Sequence, residues 1–209
     1  MVKLILVLGA FISAYFYKTE AFKGLFKLKK TKEEDEPAPL EEGFSQQEKK
    51  AHQLVQKGEE AYTKGENPAA SFYEALKIFN ALAEEAPADF LPEVASLGAL
   101  TGKLFMNASQ AYKADDSYTM AVKAYRLLTQ EEPQTYNLQL AQTLEDQTLA
   151  KYAIIENAKT LKHDKDFMRY AREKTTDTQA PASSDEIVEL VISAENQEIL
   201  DLREEAVAI

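Results

Sequence analysis

Histidines, carboxylates and one glycine–lysine stretch are where this 209-residue chain would have to keep any catalytic or ligand chemistry. Its two histidines, His52 and His163, are far apart in sequence, and no cysteine accompanies them. Disulfides, thiolate metal sites and catalytic thiols are thereby removed together. His163-Asp-Lys-Asp166 carries groups that accept a cation, but the same run suits a solvated helix end. Gly98-Ala-Leu-Thr-Gly102-Lys103-Leu104 touches a phosphate-loop pattern. It is one residue short between the glycines, lacks the hydroxyl residue after the lysine, and falls in a helical pattern rather than after a strand. The acid pairs Glu84-Glu85, Glu131-Glu132 and Glu204-Glu205 read as solvated faces with nothing beside them to shift a pKa. Asn107-Ala-Ser109 is a glycosylation triplet that a helical, cytosolic setting leaves unused. No catalytic residue, cofactor or metal ligand is expected, and the chain does not read as an enzyme.

Charge divides the chain in two. Residues 1–32 hold seven lysines against Glu20 and are net +6; the whole chain is −11, which leaves residues 33–209 at −17. Inside the basic part runs an uncharged stretch from Leu4 to Tyr17, followed by Lys18. Its fourteen residues make about 21 Å of helix, short of a ~30 Å hydrocarbon core. Lys3 and Lys18 extend its reach by snorkelling, and Tyr15, Phe16 and Tyr17 suit the interface. A retained single-span signal-anchor is the expectation. The rival is a cleaved secretory peptide, whose cut near Ala21 would follow bulky and charged residues where small ones are preferred. Six lysines after the span against one before it favour a cytosolic C-terminal body. Such an acidic body disfavours nucleic acid as a partner and favours basic ones.

The rest of the chain divides into an acidic, proline-containing linker at 33–45, a helical domain at 46–174, a second linker at 175–183 and an acidic C-terminal helix at 184–209. Ser45-Gln-Gln-Glu48 and Ser183-x-x-Glu186 fit capping boxes. Gly65 suits a helix stop and Asn67-Pro68 a helix start. Pro87 and Pro92 bracket an expected break. The periodicity then predicts a third helix to about Lys113, a fourth over Ser117–Gln130, and two helices or one bent one over Gln134–Leu161. A charged helix follows around Asp164–Lys174. No alternating strand pattern is present, so the fold is expected to be all-α.

Phe105, Ala108, Tyr112, Tyr118, Ala121, Tyr125 and Leu128, counted from Gly102 as position 1, fall on positions 4, 7, 11, 17, 20, 24 and 27. This pattern, followed by Pro133 one residue beyond the position expected for proline, resembles a tetratricopeptide repeat. The stretch Gly58–Phe79 (GEEAYTKGENPAASFYEALKIF) has the same helix-turn-helix logic with a slipped second half. Tyr136–Leu161 makes a third, degenerate unit. With the anchor and basic collar, residues 1–85 are also similar to the small presequence receptors of the mitochondrial outer-membrane translocase. That resemblance implies a TPR-like helical-hairpin solenoid on a single membrane-spanning helix, facing the cytosol from the mitochondrial outer membrane. Chaperone-clamp chemistry is disfavoured, because the two clamp positions hold Val55 and Glu59.

Val55, Glu59, Tyr62, Met106 and Gln110 are the expected lining of a partner groove; the alternative is that Val55 and Tyr62 are simply core. The function expected is a membrane-anchored adaptor or receptor that binds basic or amphipathic helical segments of partner proteins, with mitochondrial protein import as its setting. The alternative is a single-span structural subunit of a larger membrane complex.

Overall fold

The computed structural model describes residues 42–174 and 183–209. The expected anchor at 1–32, with Leu4, Tyr17 and Lys18, lies outside the described residues, as do residues 33–41 and 175–182 of the two linkers. Among the described residues no helix is long and apolar enough to cross a membrane.

Seven helices and no strand occupy the described residues: α1 (Glu42–Thr63), α2 (Ala69–Glu85), α3 (Pro87–Asn107), α4 (Ala111–Glu131), α5 (Pro133–Leu161), α6 (Lys165–Lys174) and α7 (Ser184–Ala208). The all-α expectation holds. Helices α1 to α5 pack in chain order, each consecutive pair in contact, and α7 then packs along α5 and over α6.

Glycine sets the closest approaches in the first half. A Cβ on Gly58 would sit 2.4 Å from the Phe72 ring, and one on Gly102 2.5 Å from the Tyr118 ring. Gly98 likewise backs onto Ser117 and Ala121, where a Cβ would meet the Ser117 carbonyl at 2.9 Å. Phe72 and Tyr118 are both buried, and each such side chain contributes about 1.5–3 kcal/mol by leaving water. In the second half Ile154, Ala158, Phe167, Ala171, Ile187 and Val191 close a core between α5, α6 and α7.

Helix ends follow local chemistry. After α1, Gly65 takes φ 79°, while its N–H donates to Tyr62 O and that of Glu66 to Ala61 O. This double bond pattern is a Schellman stop. Asn67 Oδ1 accepts the Ala69 N–H at 2.9 Å and so caps α2. Before α7 both arms of the Ser183/Glu186 capping box form.

Several boundaries differ from the periodicity. Helix α1 begins at Glu42, three residues before Ser45. The break near the prolines is confined to Ala86: Pro87 starts α3, and Pro92 lies inside it near the N-terminal end, where a missing N–H costs a single bond. The third turn falls at Ala108–Gln110 and not near Lys113. There Ser109 takes φ 56°, with the Ser109 N–H on Met106 O and the Gln110 N–H on Phe105 O. Phe105 therefore lies on α3, Ala108 in the turn, and Tyr112 already on α4. Asn107-Ala-Ser109 consequently spans the last residue of α3 and the turn that follows it. The segment 133–161 is one helix, because the polar residues that interrupt its apolar period, Gln147 and Thr148, are themselves buried.

Candidate functional site: an apolar face braced by a buried ion cluster

The five expected groove residues are carried by two parts of the fold. Val55, Glu59 and Tyr62 are half-buried on α1, and burial pushes the Tyr62 phenol up. Met106, half-buried at the end of α3, packs against both the α5–α6–α7 core and the core that contains Phe105 and Tyr118. Gln110 stands immediately before α4, where its carbonyl accepts the Ala114 N–H at 3.0 Å. Met106 thus serves as packing between two cores.

Larger polar features lie further along the chain. On α5 the core-facing stripe is Leu140, Leu144, Gln147, Lys151, Ile154 and Ala158, all buried. Helical spacing points every one of them at the same neighbours. Lys151, fully buried, therefore delivers its ammonium into the protein. Three carboxylates meet it: Asp115 of α4 at 2.9 Å, and Glu195 and Glu198 of α7 at 2.8 and 2.6 Å. Gln147 Nε2 donates to Asp115 Oδ1 at 3.1 Å and to Thr119 Oγ1 at 2.8 Å. From α6, the Tyr170 hydroxyl stands 2.9 Å from Asp115 Oδ2 and in hydrogen-bond contact with Glu195 Oε1. Lys174 reaches Glu198 at 3.2 Å.

The cluster ties four helices, and its members are tuned in opposite directions. Burial pushes Asp115 up, but the Lys151 and Lys174 charges outweigh it and hold the carboxyl below its usual value. Glu198 is likewise held low, burial being outweighed by the Lys151 hydrogen bond. Glu195 is raised, by burial first and the Asp115 charge second, against the pull of Lys151. For Lys151, burial favours the neutral amine, and Asp115 and Glu195 overcome it, so its pKa is raised. Tyr170 is driven well up by burial and by the same two carboxylates. Lys151 pairs with all three carboxylates, so the cluster braces four helices. Among the described residues no cluster of metal-ligating side chains occurs.

Ion pairs fix the register of α7 on α5. Lys162–Asp185 (3.0 Å), Lys159–Glu189 (3.4 Å) and Lys151–Glu198 (2.6 Å) run in opposite numerical directions, so the two helices are antiparallel. This register sets Leu149 level with Leu200. Both are exposed large apolar residues, at 59% and 55%, and Leu138 and Val207 are more open still, at 67% and 89%. On α5, Leu138, Glu145, Leu149, Tyr152 and Glu156 lie within an arc of about 60°; Leu200, Arg203 and Val207 do the same on α7. Arg203 bridges the helices by donating to the Tyr152 hydroxyl at 3.5 Å, and Arg126 of α4 pairs with Glu205 on the other flank of α7. The result is an exposed strip in which these apolar residues alternate with Glu145, Glu156 and Arg203, with Glu204 beside it on α7.

The chain matches no protein-family model, and no curated protein or solved structure matches it either. The tetratricopeptide likeness rests on the sequence motif.

Sequence periodicity missed both the cluster and the strip. Its available signal was a lysine on α5 and a glutamate on α7, each occupying a position where the stripe calls for an apolar residue, with opposite charge.

Proposed function

We propose that this chain is a membrane-anchored, TPR-like adaptor that receives basic or amphipathic helical segments of partner proteins, in the setting of mitochondrial protein import. The observation that supports the reading is the set of exposed large apolar residues on α5 and α7, interspersed with carboxylates. A helix laid along it would cover Leu138, Leu149, Tyr152, Leu200 and Val207 and offer its cations to Glu145, Glu156 and Glu204. The −17 charge of residues 33–209 adds long-range attraction that salt weakens. The anchor expected at Leu4–Tyr17 would hold that strip at a membrane surface.

The test uses the full chain and a fluorescein-labelled, lysine-rich amphipathic peptide. Binding should weaken steeply between low and physiological salt. Leu149→Ser with Leu200→Ser should reduce affinity at least tenfold while leaving the thermal midpoint within a few degrees. If Val55→Ser with Tyr62→Ser has that effect instead, the expected α1 groove is the site. Absence of binding at low salt, with stoichiometric co-purification in a large membrane assembly, would replace the adaptor by a structural subunit. Protease digestion of a C-terminal tag on intact mitochondria tests the topology.

A further inference from the structure

We propose that Glu195 keeps its proton in the folded protein, donating through Tyr170 to Asp115, and that losing this proton loosens α7 from the body. A count of hydrogens leads there. Lys151 donates to Glu195 Oε2 and Glu198 Oε2, and its ammonium pairs with Asp115 Oδ1 at 2.9 Å. Tyr170 brings one hydroxyl hydrogen, yet its oxygen contacts two carboxylate oxygens, Asp115 Oδ2 and Glu195 Oε1. With both carboxylates ionised, one of those contacts would hold no hydrogen, and lone pairs would face each other in a buried site. A proton on Glu195 Oε1 resolves it: Glu195 donates to the Tyr170 oxygen, and Tyr170 donates to Asp115.

Charge gives the same answer. Asp115 from α4, Lys151 from α5 and Tyr170 from α6 act on Glu195 directly, and Gln147, Lys174 and Glu198 complete the cluster through Asp115 and Lys151. Three carboxylates stand against two ammonium groups, and one proton makes the cluster neutral. Asp115 is the poorer home for it, since Gln147 and Tyr170 donate to it and the Lys151 ammonium pairs with it at 2.9 Å. Burial and the Asp115 charge raise Glu195, whereas Asp115 is held low by the two lysines in spite of its burial.

A carboxyl raised on folding stabilises fully below its unfolded value, here 4.5, and that contribution is lost as pH rises through its folded midpoint. Between the two values a single linked proton increases opening about tenfold per pH unit; above the folded midpoint the loss is constant. Asp115 and Glu198 act oppositely, losing their contribution as pH falls below the ordinary carboxylate range. The brace is therefore tightest at about pH 4–5 and loosens toward neutrality. Because α7 carries Leu200 and Val207, its loosening would break up the partner strip; this last step rests on the proposed function.

The experiment follows the Glu195 side-chain carboxyl carbon of the full-length protein by NMR against pH. Alongside it, amide exchange in α7 is converted to opening constants for the wild type and for Glu195→Gln. A Glu195 midpoint above 4.5 is expected, with α7 opening rising about tenfold per pH unit up to it and staying flat in Glu195→Gln, whose amide N–H still donates to Tyr170. A midpoint at or below that value, or an equal pH slope in Glu195→Gln, overturns the proposal. Should Glu195→Gln not fold, the wild-type carboxyl titration decides alone. A raised midpoint without peptide binding would leave the proton link standing and remove the partner reading.

Discussion

Replacing Lys151 by methionine isolates what the buried ammonium does, because a methionine of similar length fills the same space and leaves little cavity. Lys151 is fully buried, and its partners at 2.9, 2.8 and 2.6 Å include Asp115 and Glu195, which are fully buried too. Removing it strands at least one of their charges in the interior. Lys174, 3.6 Å from Asp115 and partly exposed on a different helix, compensates only part of that charge. Breaking one side of a buried ion pair costs about 3–5 kcal/mol, a large share of a total stability of about 5–15 kcal/mol. With a urea m-value of about 2 kcal/mol per molar, the unfolding midpoint should fall by about 2 M at pH 7.

The same variant carries a sign test in pH. Without the ammonium, burial and mutual repulsion raise the affinity of Asp115 and Glu195 for protons. Acidification then neutralises the stranded charges, so the difference between wild type and Lys151→Met should narrow as pH falls from 7 toward 4. Equilibrium urea unfolding followed by helical circular dichroism at several pH values measures both quantities. A loss under about 1 kcal/mol at pH 7, or a loss unchanged at pH 4, would refute the claim that Lys151 compensates buried carboxylates.

Three simpler substitutions probe the packing, each by thermal or urea unfolding. Ser109→Gly should stabilise the fold by about 0.5–1 kcal/mol, because Ser109 holds φ 56° where glycine has no Cβ penalty. Gly102→Ala should destabilise by about 1–2 kcal/mol: the new Cβ would meet the buried Tyr118 ring at 2.5 Å, and overpacking outweighs the helix-propensity gain of about 1 kcal/mol. Thr101→Val should stabilise by about 1 kcal/mol, since Thr101 Oγ1 is buried without a hydrogen-bond partner and valine keeps its shape.

Helix chemistry was legible wherever one residue type answers one local need. Gly65 at a left-handed stop, Asn67 at a start and the Ser183 box each did so. Legibility failed where a residue acts against its type. Ser109 stands in glycine's place, so the α3–α4 turn left no punctuation and the boundary drifted toward Lys113. Pro92 reads as a breaker, yet it sits in the second turn of α3 and the helix runs on through it at the loss of one backbone hydrogen bond. Gln147, Lys151 and Glu195 look like solvated positions because their pairing partners lie 25 to 47 residues away on other helices. Periodicity sees one helix at a time, and a buried ion pair has meaning only between two.

That long-range pairing bears on why charge, rather than apolar shape, closes the second half of the fold. Helix α7 presents Val188, Val191, Ile199 and Leu202 to the body, a stripe that would pack almost as well one turn out of place. Glu195 removes that degeneracy: a one-turn slip, about 5.4 Å, would bury it away from Lys151 and leave both unpaired. The combined variant Lys151→Met, Asp115→Asn and Glu195→Met should therefore be neutral or more stable by about 1–4 kcal/mol while losing its unique register. The chain contains no cysteine, so single cysteines placed at exposed Tyr152 and Asn196 allow spin labels to report the α5–α7 distance directly. Wild-type pairing should give one distance and the apolar variant two populations separated by a few ångströms. A single unchanged distance in a variant that has gained stability would mean that the ions do not set the register, and that packing alone does.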